Sequence, residues 1–274
     1  MTLSDANAYA EVIGDPIGHS KSPLIHRFWL EKLGIVADYR ATQVAPAGLA
    51  DFFAARRDDP DWHGCNVTVP HKVAALDHVP DPGGVRQSIG AINTVFRSDD
   101  GTLIATNTDA AGFLAPIADV DLAGAPVVVV GAGGAARAVL FALSKAAVGR
   151  VTLLNRTPLK GAALLAQFGL KGDALPLTGR LPAAALLVNT SALGMTGQPP
   201  LDLDLSSLPD EALVYDIVYA PLETPLLAAA HARGLETVDG LEMLVGQAAL
   251  AFELFFGAAP PREHDEELRR LLLA

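Results

Sequence analysis

The stretch VVVVGAGGAARAVL, residues 127–140, narrows the possible folds of this chain more than any other. Four consecutive valines show no polar alternation. A strand of that kind is buried on both faces, as strands are in parallel sheets covered by helices. Gly131, Gly133 and Ala136 follow at once as G-x-G-x-x-A, and an apolar helix of about four turns opens behind them. Glycine spacing alone is weak, and a packing turn with no ligand has the same letters. Placed between a buried strand and a helix start, the spacing marks a dinucleotide seat. Gly131 allows the tight turn and Gly133 lets a pyrophosphate come against the backbone. The free N–H groups of the helix N-terminus then meet its negative charge.

The next strand selects the dinucleotide. An NAD site places Asp or Glu about 20 residues on, where it bonds the ribose 2′-hydroxyl. Here VTLLNRTPLK supplies Asn155, Arg156, Thr157 and Lys160, and no acid. A carboxylate there would repel a 2′-phosphate, whereas Arg156 and Lys160 attract one. Thr157 and Pro158 also read as an N-cap and first helical residue, a role compatible with phosphate binding. NADP is the expected cofactor.

Strand-like and helix-like runs alternate along the rest of the chain, as α/β architecture requires. YAEVIG, ADYRATQV and CNVTV read as strands. SPLIHRFWLEKLG reads as a helix with Ser22 as N-cap, Pro23 at its first position and Gly34 past its end. GLADFFAARRD and the short HKVAALDHV read as further helices. AINTVFRS and TLIATN, joined by DDG, read as a hairpin, which makes the first sheet mixed. From residue 126 the pattern becomes a doubly wound domain with strands at VVVV, VTLL, ALLVN, ALVYDIVY and around Val238. The last 35 or so residues return to helix. The expected fold is therefore two-domain α/β. A mixed-sheet domain completed by C-terminal helices is joined to a doubly wound Rossmann domain.

Composition excludes other classes. The chain has 274 residues, enough for two cores. Its formal net charge is −11, so broad binding to nucleic acid or an anionic membrane is not expected. The longest apolar run, residues 241–259, contains Glu242, Gln247 and Glu253 and reads as a soluble helix. Cys65 is the only cysteine, so it forms no internal disulfide and reads as a buried thiol in a reducing compartment. Residues 1–10 carry no basic-then-apolar leader pattern, and the expected location is cytoplasmic. The seven histidines show no zinc-ligand spacing, so no metal is expected.

Polar groups crowd the strand ends of the first domain. GHSKSP offers Ser20 and Ser22, and NVTVPHK offers Asn66, Thr68, His71 and Lys72. AINT offers Asn93, and TNTD offers Asn107 and Asp109. Each has an ordinary reading. Ser22 and Asp109 could cap helices, Asn66 and Thr68 could line a solvated sheet face, and Asn93 could be an edge residue. Gln247, in its apolar helix, is either satisfied by backbone or turned toward a ligand. Together these groups fall where open α/β sheets bind ligands, and they suit a small polyhydroxylated acid.

The segments SKSP, NVTVPHK, AINT, NTD, GAGGAARA, NRT, NTSALGM, YDIVYAPLETPLL and DGLEMLVGQAA, in this order and spacing, resemble the shikimate dehydrogenase family. The resemblance spans residues 14–255. It implies NADP-dependent, reversible reduction of 3-dehydroshikimate to shikimate, a step of aromatic amino-acid biosynthesis. It also implies a substrate domain of residues 1–109 and 240–274, a cofactor domain of 110–239, and an active site in the cleft. By the same resemblance Lys72 and Asp109 are the catalytic pair. Ser20, Ser22, Thr68, Asn93 and Gln247 are substrate ligands, with Asn66 and Tyr219 lining the site. Gly131, Ala132, Gly133, Gly134, Ala135, Ala136, Asn155, Arg156, Thr157 and Lys160 hold the cofactor. Ile217, Gly240 and Met243 complete that site, the last two near the nicotinamide. Lys160 departs from an arginine found in many members and offers a point charge rather than a fork.

His71 is the rival of Lys72, because its unperturbed pKa near 6.5 suits acid–base work. Neighbouring residues point in different directions, and the resemblance favours Lys72. Related readings are a quinate/shikimate or aminoshikimate dehydrogenase and a folate-type dehydrogenase. A non-catalytic NADP-sensing protein is the reading from another class, and the presence of both Lys72 and Asp109 argues against it. The expected partner is a small molecule, and the expected state is a monomer or homodimer.

Overall fold

The computed structural model describes residues 7–178 and 181–274. The opening residues 1–6, where no leader pattern is expected, lie outside the described residues. The chain divides into two compact units. One holds the residues up to Thr108 together with Val245–Ala274, and the other is Asp109–Leu244.

The first unit begins β1 (Tyr9–Gly14), α1 (Ser22–Leu33), β2 (Asp38–Gln43), α2 (Leu49–Arg57) and β3 (Trp62–Val67). It continues through α3 (Val85–Ser88), β4 (Thr94–Arg97) and β5 (Leu103–Thr106). The sheet order is β2-β1-β3-β4-β5, with β1 parallel to both neighbours and β4 antiparallel to β3 and β5. The mixed sheet and the DDG hairpin are as expected, the turn closing with Gly101 N–H on Ser98 O at 2.9 Å.

All six residues of β1 are buried, including Glu11. A buried carboxylate is tolerated only when it is paired and hydrogen-bonded. Glu11 takes Arg56 Nε at 2.6 Å, Trp62 Nε1 at 2.8 Å and Thr42 Oγ1 at 2.5 Å.

Two local expectations need correction. Ser22 is not the N-cap of α1 but its first residue, and Lys21 stands at the cap, its side chain making no capping bond. The hydroxyl that serves this helix start is Ser20 Oγ, which accepts the Ser22 N–H at 3.3 Å. HKVAALDHV forms no α-helix either. It makes one 3₁₀ turn, Ala74–Asp77, with short-range bonds such as His78 N–H to Ala75 O. A segment this short cannot recover the cost of nucleating an α-helix.

The second unit runs α4 (Asp109–Leu114), β6 (Val127–Val130), α5 (Gly134–Lys145), β7 (Val151–Leu154) and α6 (Pro158–Gln167). Then come β8 (Gly172–Leu175), β9 (Leu186–Asn189), β10 (Leu213–Asp216), α7 (Pro225–Ala232) and β11 (Glu236–Val238). All strands are parallel in the order β11-β10-β9-β6-β7-β8. The four valines of β6 are buried at the centre. Chain order reverses between β9 and β6, which is where ligands bind such sheets.

Three details differ from expectation. Helix α5 has 12 residues, about three turns rather than four. The strand β8, GDAL, had no sequence signal, because none of its residues favours a sheet and it is only an edge. Strand β10 stops at Asp216 instead of continuing through Tyr219. The Asp216 carboxylate accepts the Val218 N–H at 3.0 Å and turns the chain out of the ladder.

Helix α8 (Gly240–Phe256) starts in the second unit and ends in the first, where α9 (Asp265–Leu273) follows. In the first unit Phe252 meets Trp29 edge to face at 5.5 Å. Both are fully buried, and a side chain such as Phe252 contributes about 1.5–3 kcal/mol on leaving water. Among the described residues no helix is long and apolar enough to cross a membrane.

Candidate active site

In the first unit, strand ends deliver a connected set of buried polar side chains. Asn66, near the end of β3, is buried rather than solvated, so it does not line an open sheet face. Its Oδ1 accepts the Tyr39 hydroxyl at 2.5 Å. Its Nδ2 donates to Asn93 O at 3.2 Å and to Thr94 Oγ1 at 3.1 Å. Asn93 Oδ1 accepts from Thr94 Oγ1 at 3.1 Å and from the Thr108 N–H at 2.7 Å. Asn93 Nδ2 donates to Thr108 Oγ1 at 2.8 Å and to Gln247 Oε1 at 3.1 Å. One of the partners of Gln247 is therefore a side chain of this set. Such networks rigidify the groups they join, because each buried member left unpaired would carry a desolvation cost.

The residues around Lys72 are tied to the same place. Lys72 O accepts the Ile92 N–H at 2.7 Å, one residue before Asn93. The Lys72 side chain is half-buried. His71 is buried, and its Nε2 lies 2.6 Å from Val44 O. That contact commits the imidazole to the backbone. Thr68 lies just past β3 and is half-buried, its N–H on Ile13 O at 2.9 Å. Ser20 is half-buried and Ser22 buried. Asn107 Nδ2 donates to Ala91 O at 2.8 Å. Cys65 is buried, and burial pushes its thiol well above the usual range.

The Tyr39, Thr94 and Thr108 members were not singled out by sequence reasoning. Tyr39 is fully buried, and burial raises its phenol pKa, so it stays a donor to Asn66. Its ring stacks on His26.

In the second unit, Asp109 is the first residue of α4 and is buried. A carboxylate is favoured there by the partial positive charge of the helix N-terminus. Gly131 follows β6 with φ +105°, and a Cβ on it would stand 2.9 Å from Thr190 Oγ1. The turn therefore requires glycine. Gly133 differs. It is exposed, and a Cβ there would meet nothing within 4 Å. Packing does not explain that glycine, and a ligand brought against the backbone does. Ala132, Gly134 and Ala135 are half-buried around it, and Ala136 is buried. The residues present fit a pyrophosphate.

Asn155 follows β7, with its Nδ2 on Thr157 O at 2.9 Å. Thr157 is the N-cap of α6, as expected, but its hydroxyl makes no capping bond. Arg156, Thr157 and Lys160 are all exposed and able to receive a phosphate. Ile217 and Tyr219 are half-buried after β10, and burial raises the Tyr219 pKa. Gly240 opens α8 hard against that segment, where a Cβ would stand 2.5 Å from Ile217 O and Val218 O. Met243 is buried one turn further on. Tyr215 is in the core, stacked on Phe113 at 5.0 Å.

Comparison with known proteins covers both units. A family model described as shikimate dehydrogenase substrate binding domain matches residues 12–95. Models described as shikimate / quinate 5-dehydrogenase and shikimate 5'-dehydrogenase C-terminal domain match residues 114–184 and 240–268. The shikimate dehydrogenase (NADP(+)) of Sphingopyxis alaskensis is 66% identical, with all of both chains covered. The Thermus thermophilus shikimate 5-dehydrogenase, solved with NADP(H) and shikimate, is 39% identical with a TM-score of 0.83. That match covers 97% of this chain and 100% of the other. A 5-ketofructose reductase of Gluconobacter has a TM-score of 0.85 at 31% identity, over 97% and 99% of the two chains.

Proposed function

Because this chain belongs to the shikimate dehydrogenase family, we propose Lys72 and Asp109 as the pair that handles the proton in its reaction, the NADPH-dependent, reversible reduction of 3-dehydroshikimate to shikimate. The observation that carries the assignment is the buried set around Asn93. The backbone of Lys72 is bonded one residue before Asn93, and Thr108, which precedes Asp109, is bonded to the Asn93 amide. The backbone at Lys72 and the backbone at Thr108, the residue before Asp109, are thus both bonded at or next to Asn93.

NADPH, when bound, supplies the hydride to the ketone carbon. Charge then grows on the ketone oxygen, and a positioned donor must meet it. Lys72 Nζ donates that proton and takes it back in the reverse direction. Asp109 orients the ammonium. Ser20, Ser22, Thr68, Asn93 and Gln247 hold the carboxylate and hydroxyls of the substrate, with Asn66 and Tyr219 lining its site. The rigidity of the Asn66–Asn93–Gln247 set supports this, since a bound polyol is oriented only by groups that are themselves fixed.

The Gly131–Ala136 turn takes the pyrophosphate of the cofactor. Asn155, Arg156, Thr157 and Lys160 take its 2′-phosphate, and the absence of an acid in that stretch supports the choice. Ile217, Gly240 and Met243 face its nicotinamide end. The proposed setting is the cytoplasm, supported by the lone buried Cys65, and the proposed state is a monomer or homodimer. The test is NADPH oxidation with 3-dehydroshikimate, run beside quinate with NADP. Turnover with 3-dehydroshikimate is expected, and its absence would overturn the reading.

A further inference from the structure

The motif YDIVY contains an aspartate that the reaction above does not use. Asp216 ends β10 and is fully buried. Its carboxylate is held by three donors, one from the end of β9 and two from the 217–224 loop. Asn189 Nδ2 reaches Oδ1 at 2.9 Å from the end of β9. The Val218 N–H reaches the same oxygen at 3.0 Å from the segment after β10. Thr224 Oγ1 donates to Oδ2 at 2.7 Å, while the same hydroxyl accepts the Leu227 N–H at 3.2 Å and caps α7. Desolvation pushes the Asp216 pKa up and these donors oppose it.

Asn189 extends the hub. Its Oδ1 accepts the Ser191 N–H at 3.0 Å and the Ser191 hydroxyl at 2.7 Å. Its Nδ2 also donates to Leu193 O at 3.0 Å, and its backbone O accepts the Ile217 N–H at 3.1 Å. Two loops at the carboxyl ends of adjacent strands, residues 190–194 and 217–224, therefore share one buried anchor. Ile217 and Val218 are also the residues against which Gly240 is pressed too closely for a side chain.

We infer that Asp216 is a positioning residue for the nicotinamide end of the cofactor, acting through the Ile217–Tyr219 turn and the Gly240 contact without touching substrate. The inference rests on the assignment of that end to Ile217, Gly240 and Met243. It separates two functions of the second unit. Arg156 and Lys160 lie on the far side of the sheet order and hold the phosphate end independently of Asp216.

The test uses the full chain with Asp216→Ala and the shape-conserving Asp216→Asn. The first variant is expected to lose about 10²-fold in kcat, the scale of a misplacement of about 1 Å. The KM for 3-dehydroshikimate should change little. Asp216→Asn should recover part of the loss, because one oxygen still accepts. The decisive readout is binding by titration. NADP⁺ should bind more weakly to Asp216→Ala, while 2′,5′-ADP, which lacks the nicotinamide, should bind as to wild type. Equal weakening of both ligands would show a general structural role and overturn the inference, as would unchanged kcat and NADP⁺ affinity. If Asp216→Ala does not fold, Asp216→Asn decides by the same comparison. If the wild type turns over no 3-dehydroshikimate, the proposed reaction fails, and the two titrations still decide the role of Asp216.

Discussion

The imidazole of His26 lies flat on the phenol of Tyr39, with 3.9 Å between ring centroids and 4° between planes. Both ring nitrogens of His26 are buried without a hydrogen-bond partner. Burial alone holds its pKa down at about 3, against an ordinary value of 6.5. The unfolded chain therefore takes up a proton near pH 6.5 that the folded chain refuses. The contribution is full above that pH and is lost as pH falls toward 3. Between pH 7 and pH 5 the loss is about 2 kcal/mol. Urea unfolding of wild type and His26→Phe at the two pH values checks this. The variant should lose less stability by about that amount, and identical pH dependence would contradict it.

Tyr39 is the hydroxyl donor to Asn66 Oδ1. Tyr39→Phe keeps the stack on His26 and leaves a buried amide oxygen without that donor. The expected cost is about 1–3 kcal/mol of stability. Denaturant melts measure the cost, and a loss well under 1 kcal/mol would mean that Asn66 finds another donor.

Lys72→Ala should lower kcat by about 10²–10⁴-fold, the usual worth of a positioned acid–base group. The KM should change little, since a proton donor acts mainly in the transition state. His71→Ala is the control. Its ring is bonded to Val44 O, so its loss should be felt in stability and not in the pH profile of kcat. Steady-state rates on both variants separate the two residues.

Arg156→Ala should raise the KM for NADPH about tenfold to hundredfold, as expected when a charged hydrogen bond worth about 1.5–3 kcal/mol is removed. The KM for NADH should be unaffected, because NADH has no 2′-phosphate to lose. Parallel titrations of the two coenzymes give the result. A similar rise for both would place Arg156 elsewhere in the site.

Most of the cofactor half was legible because its signals are local. The valines of β6, the turn at Gly131 and the helix start at Gly134 are consecutive in sequence. The missing acid after β7 is also read directly from neighbours. The edge strand β8 was not legible, since GDAL has neither alternation nor β-branched residues. The substrate half was legible as residue types but not as a network. Asn93 and Gln247 are 154 positions apart, and Tyr39 and Asn66 are 27 apart. Neither Tyr39 nor Thr108 carries a pattern that announces such a contact. Asp216 sits in a motif that sequence showed, but its role depends on Asn189 and Thr224 arriving from separate elements.

Strand β1 poses a problem that Glu11 resolves. In most half-buried strands the alternation of apolar and polar residues fixes which residue faces which neighbour, because a slip of one place turns every side chain to the wrong face. All six residues of β1 are buried, so that signal is missing. The pairing places Glu11 opposite Arg40 on one side and Cys65 on the other, and only there do Arg56, Trp62 and Thr42 converge on its carboxylate. Shifted by one residue, the sheet would keep its apolar burial and strand a naked charge inside. One acidic residue thus acts as the locating pin of an otherwise slippery central strand.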